Sequence, residues 1–457
     1  MDTYLAIDIG ASSGRIYAGT LEEGKPCLSV VHRFSNGFVQ RQGHLAWDLD
    51  ALFRQILDGL RKAGTLYPTI AGIAIDTWGV DGVLLDGNGK ILGDSYSYRD
   101  SRTDQVSCPL TQERLYGTTG IQYLKFNTIY QLLWEKEHHP ERLEGASLFL
   151  QIPDYLGYLL TGIAKQEYTN ATTTNLVDAR TKSWSGDILS ACGLPSRLFQ
   201  QLAQPATVLG PLKKEVVREV GFQCEVLHAP SHDTASAVLG SPLDDHSLFL
   251  SSGTWSLIGS EEEKPNLSRE SLHANYSNEG GMEGTTRYLK NLMGLWMVQS
   301  LKKESPEGTS FADIERMADE NMTFSSRVDV EDVRFLAPAS MIDAIKDACN
   351  EKGMKVPETV GQCAAVVYHS LAEGYGKAAC ELQELTGRKF DACVIVGGGT
   401  KDKTLCSLTE KATGMKVVTG SSEGTALGNF LSQLVCRGVV DGRKGARKLL
   451  HDKEKNR

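Results

Sequence analysis

The sequence predicts an α/β protein of two similar domains, with its site in the cleft between them. Three observations carry this expectation. At 457 residues the chain exceeds what one hydrophobic core supports, so two or three domains are expected. It opens on an apolar run, Tyr4 to Ile9, followed by a turn of small residues and a second strand-like run, Ile16-Tyr17-Ala18-Gly19-Thr20. The same pattern returns just past the middle, at Ser247-Leu248-Phe249-Leu250-Ser251-Ser252-Gly253-Thr254-Trp255-Ser256-Leu257-Ile258-Gly259. Two such hairpins opening two halves are what a duplicated protein needs to hold a nucleotide between its lobes.

In the first hairpin, Asp8-Ile9-Gly10-Ala11-Ser12-Ser13-Gly14-Arg15, the small turn residues let backbone N–H groups approach an anion. Asp8, at the strand end, is placed to hold a cation beside that anion. The stretch fits an ordinary Ser/Gly hairpin equally well. A third strand follows from Cys27 to Phe34, then a helix from Trp47-Asp48 with Asp48 as N-cap. Ile70 to Asp76 reads as a buried central strand, running into Thr77-Trp78-Gly79-Val80-Asp81. Three antiparallel strands, a helix and a buried strand give the order of the ribonuclease-H-like fold used by actin-type ATPases. Residues 94–135 read as largely solvated loop, and 147–160 as a helix closed by Thr161-Gly162.

Further on, a strand from Glu225 to Ala229 leads into Ser231-His232-Asp233-Thr234-Ala235-Ser236-Ala237 and a helix of small residues. Asp233 falls near that helix start, where a carboxylate is favoured. From the residues alone, a cap by Asp233 or Ser231 is the readier reading, ahead of a catalytic base. Pro242, Asp244 and Asp245 mark a boundary, giving an N-terminal domain over 1–242, a C-terminal domain over 243–436 and a basic polar tail over 437–457. In the second half, Asn278-Glu279-Gly280-Gly281 reads as a turn, Tyr288 to Leu301 as a helix, and Gln362 to Leu385 as a long helix. Phe390 to Val396 is a strand entering Gly397-Gly398-Gly399, which lets a ligand lie against backbone at a helix start.

A net charge of −9 predicts no whole-protein attraction to nucleic acid or to an anionic membrane. No apolar run reaches the roughly 20 residues that cross a bilayer, and no signal segment opens the chain, so the cytoplasm is expected. The ten cysteines are scattered with no zinc spacing; buried thiols are expected, and spacing leaves a disulfide between distant cysteines open. The phosphate-binding G-x-x-x-x-G-K-[ST] loop and the protein-kinase motifs are absent.

From about Tyr4 to Val435 the chain resembles the FGGY carbohydrate kinases. The resemblance is carried by Asp8 to Arg15, Asp76 to Asp81, Tyr98-Arg99-Asp100-Ser101-Arg102, Phe126-Asn127-Thr128, Glu167 to Ala171, Ser231 to Val238, Ser251 to Leu257, Asn278 to Gly281 and Leu289-Lys290-Asn291. It implies transfer of the γ-phosphoryl group of ATP, with Mg²⁺, to a ketose. The narrower motif forms imply O1 of L-rhamnulose, with L-fuculose or another ketose as the alternative, and a sugar sensor on the same fold as the reading of another class. The resemblance implies Asp233 as catalytic base and Gly79, His232 and Thr234 as sugar contacts. It puts Ala11, Ser12, Ser13, Gly14, Arg15, Thr254, Asn291, Gln299 and Gly398 on the nucleotide, and Asp8 near the Mg²⁺. Monomer and homodimer stay open. Two positions depart from the family pattern: Gly82, where relatives carry an aromatic residue, and Asp402, where they carry Asn.

Overall fold

The computed structural model describes residues 2–451. Two six-stranded sheets organise it. The first runs in the order Thr207–Pro211, Glu225–His228, Ile70–Thr77, Thr3–Ile9, Ser13–Glu22, Lys25–Ser35. The second runs Tyr276–Gly280, Thr286–Met293, Trp255–Glu262, Ser247–Ser252, Ala392–Val396, Lys416–Thr419. In each, an antiparallel half opened by one of the two hairpins continues into parallel strands at the other side. This is the ribonuclease-H-like architecture, twice.

The amphipathic helix Leu49–Leu66 covers the first sheet through Leu49, Leu52, Ile56 and Leu60, and Asp48 caps it by accepting from the Ala51 amide at 3.0 Å. The second sheet packs on Val360–Thr386, whose buried face runs from Cys363 to Leu382. One helix crosses between the sheets. Gly424–Cys436 follows the last strand of the second sheet, yet Phe430 packs on Tyr4, and Gln433 Nε2 donates to Leu5 O at 3.0 Å. It meets the helix Asp233–Leu239 backbone to backbone: a Cβ on Gly428 would lie 1.8 Å from Ser236 O, and one on Gly240 2.1 Å from Gly424 O.

Four segments differ from the sequence expectation. Residues 148–151 form a strand, Leu148–Gln151, before the helix Ile152–Thr161; a run of three apolar residues carries no period that separates strand from helix. Asn278 to Gly280 lie in the strand Tyr276–Gly280 instead of a turn, and Tyr288 to Met293 lie in the strand Thr286–Met293, with the helix starting only at Trp296. The latter strand is paired on both sides and buried at every position but Asn291, so it lacks the alternation that marks a half-exposed strand. Residues 94–135 hold two helices, Gln112–Thr119 and Thr128–His138, the second buried along most of its length.

The basic polar tail, expected to be a surface helix that frays, does hold a helix, Gly442–His451, and it packs on the body. Ala446 and Leu450 join the cluster around Tyr17 and Phe430, and buried Arg447 pairs with Glu261. Its basic residues dominate its sequence, but its apolar stripe of Ala446, Leu449 and Leu450 is what docks it. Residues 452–457 lie outside the described residues.

Candidate active site

Three parallel strands end side by side on one edge of the first sheet. Pairing of Thr3–Ile9 with Ile70–Thr77 sets Asp8 opposite Asp76. The next strand, Glu225–His228, is parallel to Ile70–Thr77, and the pairing is prolonged by a bridge from Thr77 to His232, with Thr77 N donating to Ser231 O at 2.9 Å. The helix Asp233–Leu239 starts there, so Asp233 joins Asp8 and Asp76 at the carboxyl ends of the strands, where open α/β sheets bind ligands. No side chain caps this helix: Ser231 Oγ instead donates to Glu167 at 2.6 Å, and Asp233 Oδ1 accepts from the amide of the adjoining Thr234 at 2.5 Å.

The electrostatics of this edge are those of negative charges held together. Burial, with the negative charge of Asp233 beside it, pushes the Asp8 carboxyl up to about 7, against the pull of Arg15. Asp76 is fully buried and lies well above the usual carboxylate range, first through burial and then through Asp8. Its Oδ2 accepts from Asn429 at 2.6 Å, while its Oδ1 is buried without a partner. Such a set suits a hard divalent cation that lowers the repulsion. Among the described residues, no group of three or more His, Cys, Asp and Glu is spaced to hold a metal by itself. A carboxylate acting with water and phosphate oxygens fits that donor set.

Two buried carboxylates fix the loops around the edge. Glu167 accepts from the Ser231 amide (3.1 Å), the Thr169 amide (2.9 Å) and the Thr169 hydroxyl (2.7 Å), which holds the backbone entering His232. Asp81 accepts from the indoles of Trp47 (2.7 Å) and Trp78 (3.0 Å), from Gln131 (3.0 Å) and from the Tyr98 amide (3.0 Å). Burial raises its pKa and those four donors oppose the rise. Asn170 ties both loops together by donating to Ser231 O (3.2 Å) and Trp78 O (3.3 Å).

Above this edge lies a cleft of about 240 Å³. Gly79, His232, Asp233 and Thr234 line it from the first half; Trp255, Ser277, Glu279 and Asn291 line it from the second. Four expected sugar-side residues thus share one space. Asn291, expected on the nucleotide, lies in the same space, exposed on a strand. Gly79 has a reason beyond ligand room: a Cβ there would lie 2.9 Å from the Thr173 side chain, whose hydroxyl accepts from the Val80 amide.

The remaining nucleotide-side residues gather at the two hairpin turns. Ser12 and Ser13 are exposed, and the first turn is closed by Gly10 N to Ser13 O (2.9 Å) and braced by Asn36 Nδ2 to Gly10 O (2.8 Å). Arg15 points across to Glu423, at 3.1 Å, instead of into the turn. In the second hairpin Thr254 meets Gln299 at 3.3 Å. Gly397 packs against Ser252 of that turn, leaving Gly398 exposed with Leu295 beside it. Of the departures, Gly82 is enclosed by Leu150 O and the Phe149 ring, each 2.5 Å from a built Cβ, and does not line the cleft. Asp402 caps the helix Lys403–Thr413 and accepts from Tyr368 Oη at 2.5 Å.

Sequence reasoning gave no role to Asp76, Glu167, Glu279 or Arg287. The first three lie in motifs that were legible; Arg287 carried no signal in the sequence. Glu279 and Arg287 are cross-strand partners joined at 2.9 Å, and both reach His232 of the first half.

The model of the FGGY family of carbohydrate kinases, N-terminal domain, matches residues 3–240, and that of the C-terminal domain matches 248–436. The chain belongs to this family: it is a carbohydrate kinase. It is 44% identical over 456 residues to a rhamnulokinase of Halalkalibacterium halodurans, covering 99% of this chain and 97% of that protein. It is 43% identical over 450 residues to a rhamnulokinase of Oceanobacillus iheyensis, covering 98% and 96%. Among solved structures it is similar to gluconate kinase from Lactobacillus acidophilus, with a TM-score of 0.82 at 16% identity over 98% of this chain and 92% of that one, a likeness of fold.

Proposed function

We propose that this chain transfers the γ-phosphoryl group of ATP to O1 of L-rhamnulose, giving L-rhamnulose 1-phosphate and ADP. The observation that carries the reading is the meeting of Asp8, Asp76 and Asp233 at one sheet edge, under a cleft walled by both halves. The full-length likeness to proteins named rhamnulokinase supports the choice of sugar.

Asp233 is the general base. Its carboxylate takes the proton of the sugar's primary hydroxyl as that oxygen forms its bond to the γ-phosphorus, and the bond from phosphorus to the β–γ bridging oxygen breaks as ADP leaves. Such assistance contributes about 10²–10⁴-fold, the rest coming from alignment and charge stabilisation. Gly79, His232 and Thr234 hold the sugar, and Asn291, from the opposite wall, is assigned to the sugar side with them. Ala11 to Gly14, with Arg15 flanking, and Thr254 approach the phosphates through backbone and hydroxyl donors. Gln299 and Gly398 line the path toward the nucleoside. Asp8, with Asp76 behind it, would hold a Mg²⁺, which would supply neutralisation of phosphate charge. Exclusion of water between the halves favours transfer to sugar over hydrolysis.

The division we propose is an N-terminal sugar-binding domain over 1–242 and a C-terminal nucleotide-binding domain over 243–436. The cytoplasm fits a chain whose cysteines from Cys108 to Cys436 are free thiols. The test is initial rates of ADP release with Mg·ATP on L-rhamnulose, L-fuculose, D-xylulose and glycerol. The highest kcat/KM is expected on L-rhamnulose. A higher value on another ketose replaces the substrate, and calorimetric sugar binding without ADP release on any of them replaces the kinase reading by a sensor.

A further inference from the structure

We propose that Glu279 and Arg287, from the second half, are positioning residues that fix the ring of His232 and the nitrogen on which it carries its proton. The inference rests on the proposed role of His232 as a sugar contact. His232 belongs to the first half, and its backbone amide is held by Thr169 Oγ1 at 3.3 Å. Its ring is held from across the cleft. Arg287 Nη2 lies 3.0 Å from Nδ1, Glu279 Oε2 lies 3.2 Å from the same nitrogen, and Nε2 faces Asp233 Oδ1 at 3.5 Å. A guanidinium N–H only donates, and Glu279 Oε2, though close to the same nitrogen, makes no hydrogen bond, so Nδ1 accepts from Arg287 and Nε2 carries the proton. That proton is turned toward Asp233 and the cleft, where an N–H donor can meet a sugar oxygen.

The two supporting residues are built to hold still. They pair directly across adjacent strands, and Arg287 is fully buried, with Nε donating to Gly280 O at 2.8 Å. The strand carrying Glu279 is stitched to the first half on both sides of it: Asn278 N donates to Gly120 O and Gly280 N to Thr172 Oγ1, each at 2.8 Å. Although burial opposes ionisation, the Glu279 carboxyl is held down to about 2, first among the lowering causes by the charge of Arg287, so it is an anion at any pH of interest. Arg287 Nη1 is buried without a partner, a cost to folding that a purely structural ion pair need not carry.

The test is a double-mutant cycle on the full chain, read as initial rates at varied sugar and varied ATP. Glu279→Gln keeps the shape and removes the charge. It is expected to raise KM for the sugar about tenfold, as loss of a close charge does, with KM for ATP unchanged. In a His232→Ala background the same substitution is expected to leave the sugar KM unchanged, because the group it acts through is gone. An equal effect in both backgrounds, or none in the single variant, overturns the proposal. A second readout needs no turnover. In protein labelled with ¹⁵N-histidine, two-bond ¹H–¹⁵N correlations are expected to report Nε2–H for His232, assigned by its loss in His232→Ala, and a mixture of tautomers in Arg287→Lys and Glu279→Gln. A pure Nε2–H signal retained in both variants overturns the proposal. If no ketose is phosphorylated while the tautomer shifts, the kinase reading fails and the positioning stands.

Discussion

The two hairpins that open the two halves share a layout and differ in chemistry. In the first, the strand Thr3–Ile9 carries Asp8 two residues before the turn glycine, Gly10; in the second, Ser247–Ser252 carries Ser251 two residues before Gly253. The parallel neighbour of Asp8 is Asp76, whereas that of Ser251 is Val396, which leads into the glycine run. One sheet edge thus concentrates acids that repel one another, and its counterpart presents neutral backbone, Thr254 and Gly398. A duplicated fold has been divided between two tasks. Both turns let phosphate approach backbone; the first edge adds acids for a cation and a proton, and the second adds only neutral groups. Carboxylates on the second edge would repel a triphosphate, and a bare glycine edge on the first would hold neither metal nor proton.

The largest effect that tests this division is at Asp233. Asp233→Asn keeps the shape and its bond to the Thr234 amide but removes the proton acceptor. kcat is expected to fall about 10²–10⁴-fold, with sugar affinity by calorimetry changed only a few-fold. A kcat close to the parent's places the base elsewhere. The substitution also removes one of the charges acting on Asp8. The Asp8 carboxyl, followed by its ¹³C shift, is therefore expected to titrate below 7 in the variant.

A smaller and paired test compares one glycine from each edge. At Gly79 a methyl meets Thr173 at 2.9 Å, so Gly79→Ala must displace either the loop or its neighbour. At Gly398 the nearest atom to a built methyl is 3.8 Å away, ordinary contact. Gly79→Ala is expected to raise the sugar KM about tenfold through a misplacement of this kind, and to leave KM for ATP alone. Thr173→Ala in the same chain is expected to recover part of that loss. Gly398→Ala is expected to leave Tm and the sugar KM unchanged and to raise KM for ATP a few-fold. A rise in the sugar KM from Gly398→Ala, or in the ATP KM from Gly79→Ala, breaks the division between the edges.

How much of this was legible follows from where the information resides. The hairpins, the helix capped by Asp48 and the strand into His232-Asp233 were readable, because local pattern and turn chemistry specify them. The strand Thr286–Met293 read as the start of a helix, because burial on both faces erases its alternation, yet the family motif still put Asn291 at the cleft, whose wall it lines. Asp76 was in view as a strand residue, but its meeting with Asp8 and Asp233 depends on which strands pair. Arg287 depends on more: its part at the site comes from register with Glu279 and from the docking of the second half on the first. Neither is written in local spacing. The family motifs supplied the residues of the cleft, and the pairing of strands supplied their supports.

The smallest expected effect is at Asp402, outside the two edges yet beside the glycine run. Its carboxylate caps the helix Lys403–Thr413 and meets Tyr368. Burial raises its pKa to about 6, with the carboxylates of Glu315 and Asp319 adding to the rise and the Tyr368 and Leu405 donors opposing it. An unfolded aspartate titrates near 3.9. Between these values the folded chain binds the proton more readily than the unfolded one, so this group's contribution is most favourable below pH 4 and is lost as pH rises through 6. Asparagine, the residue of the family pattern, caps helices as well as aspartate and carries no charge to desolvate. Asp402→Asn is therefore expected to raise Tm by a few degrees at pH 8, corresponding to about 1 kcal/mol, with the gain shrinking toward pH 5. A gain that grows on acidification would show that the carboxylate stabilises the cap by its charge, and that the departure from the family pattern is an adaptation of this helix instead of a tolerated cost.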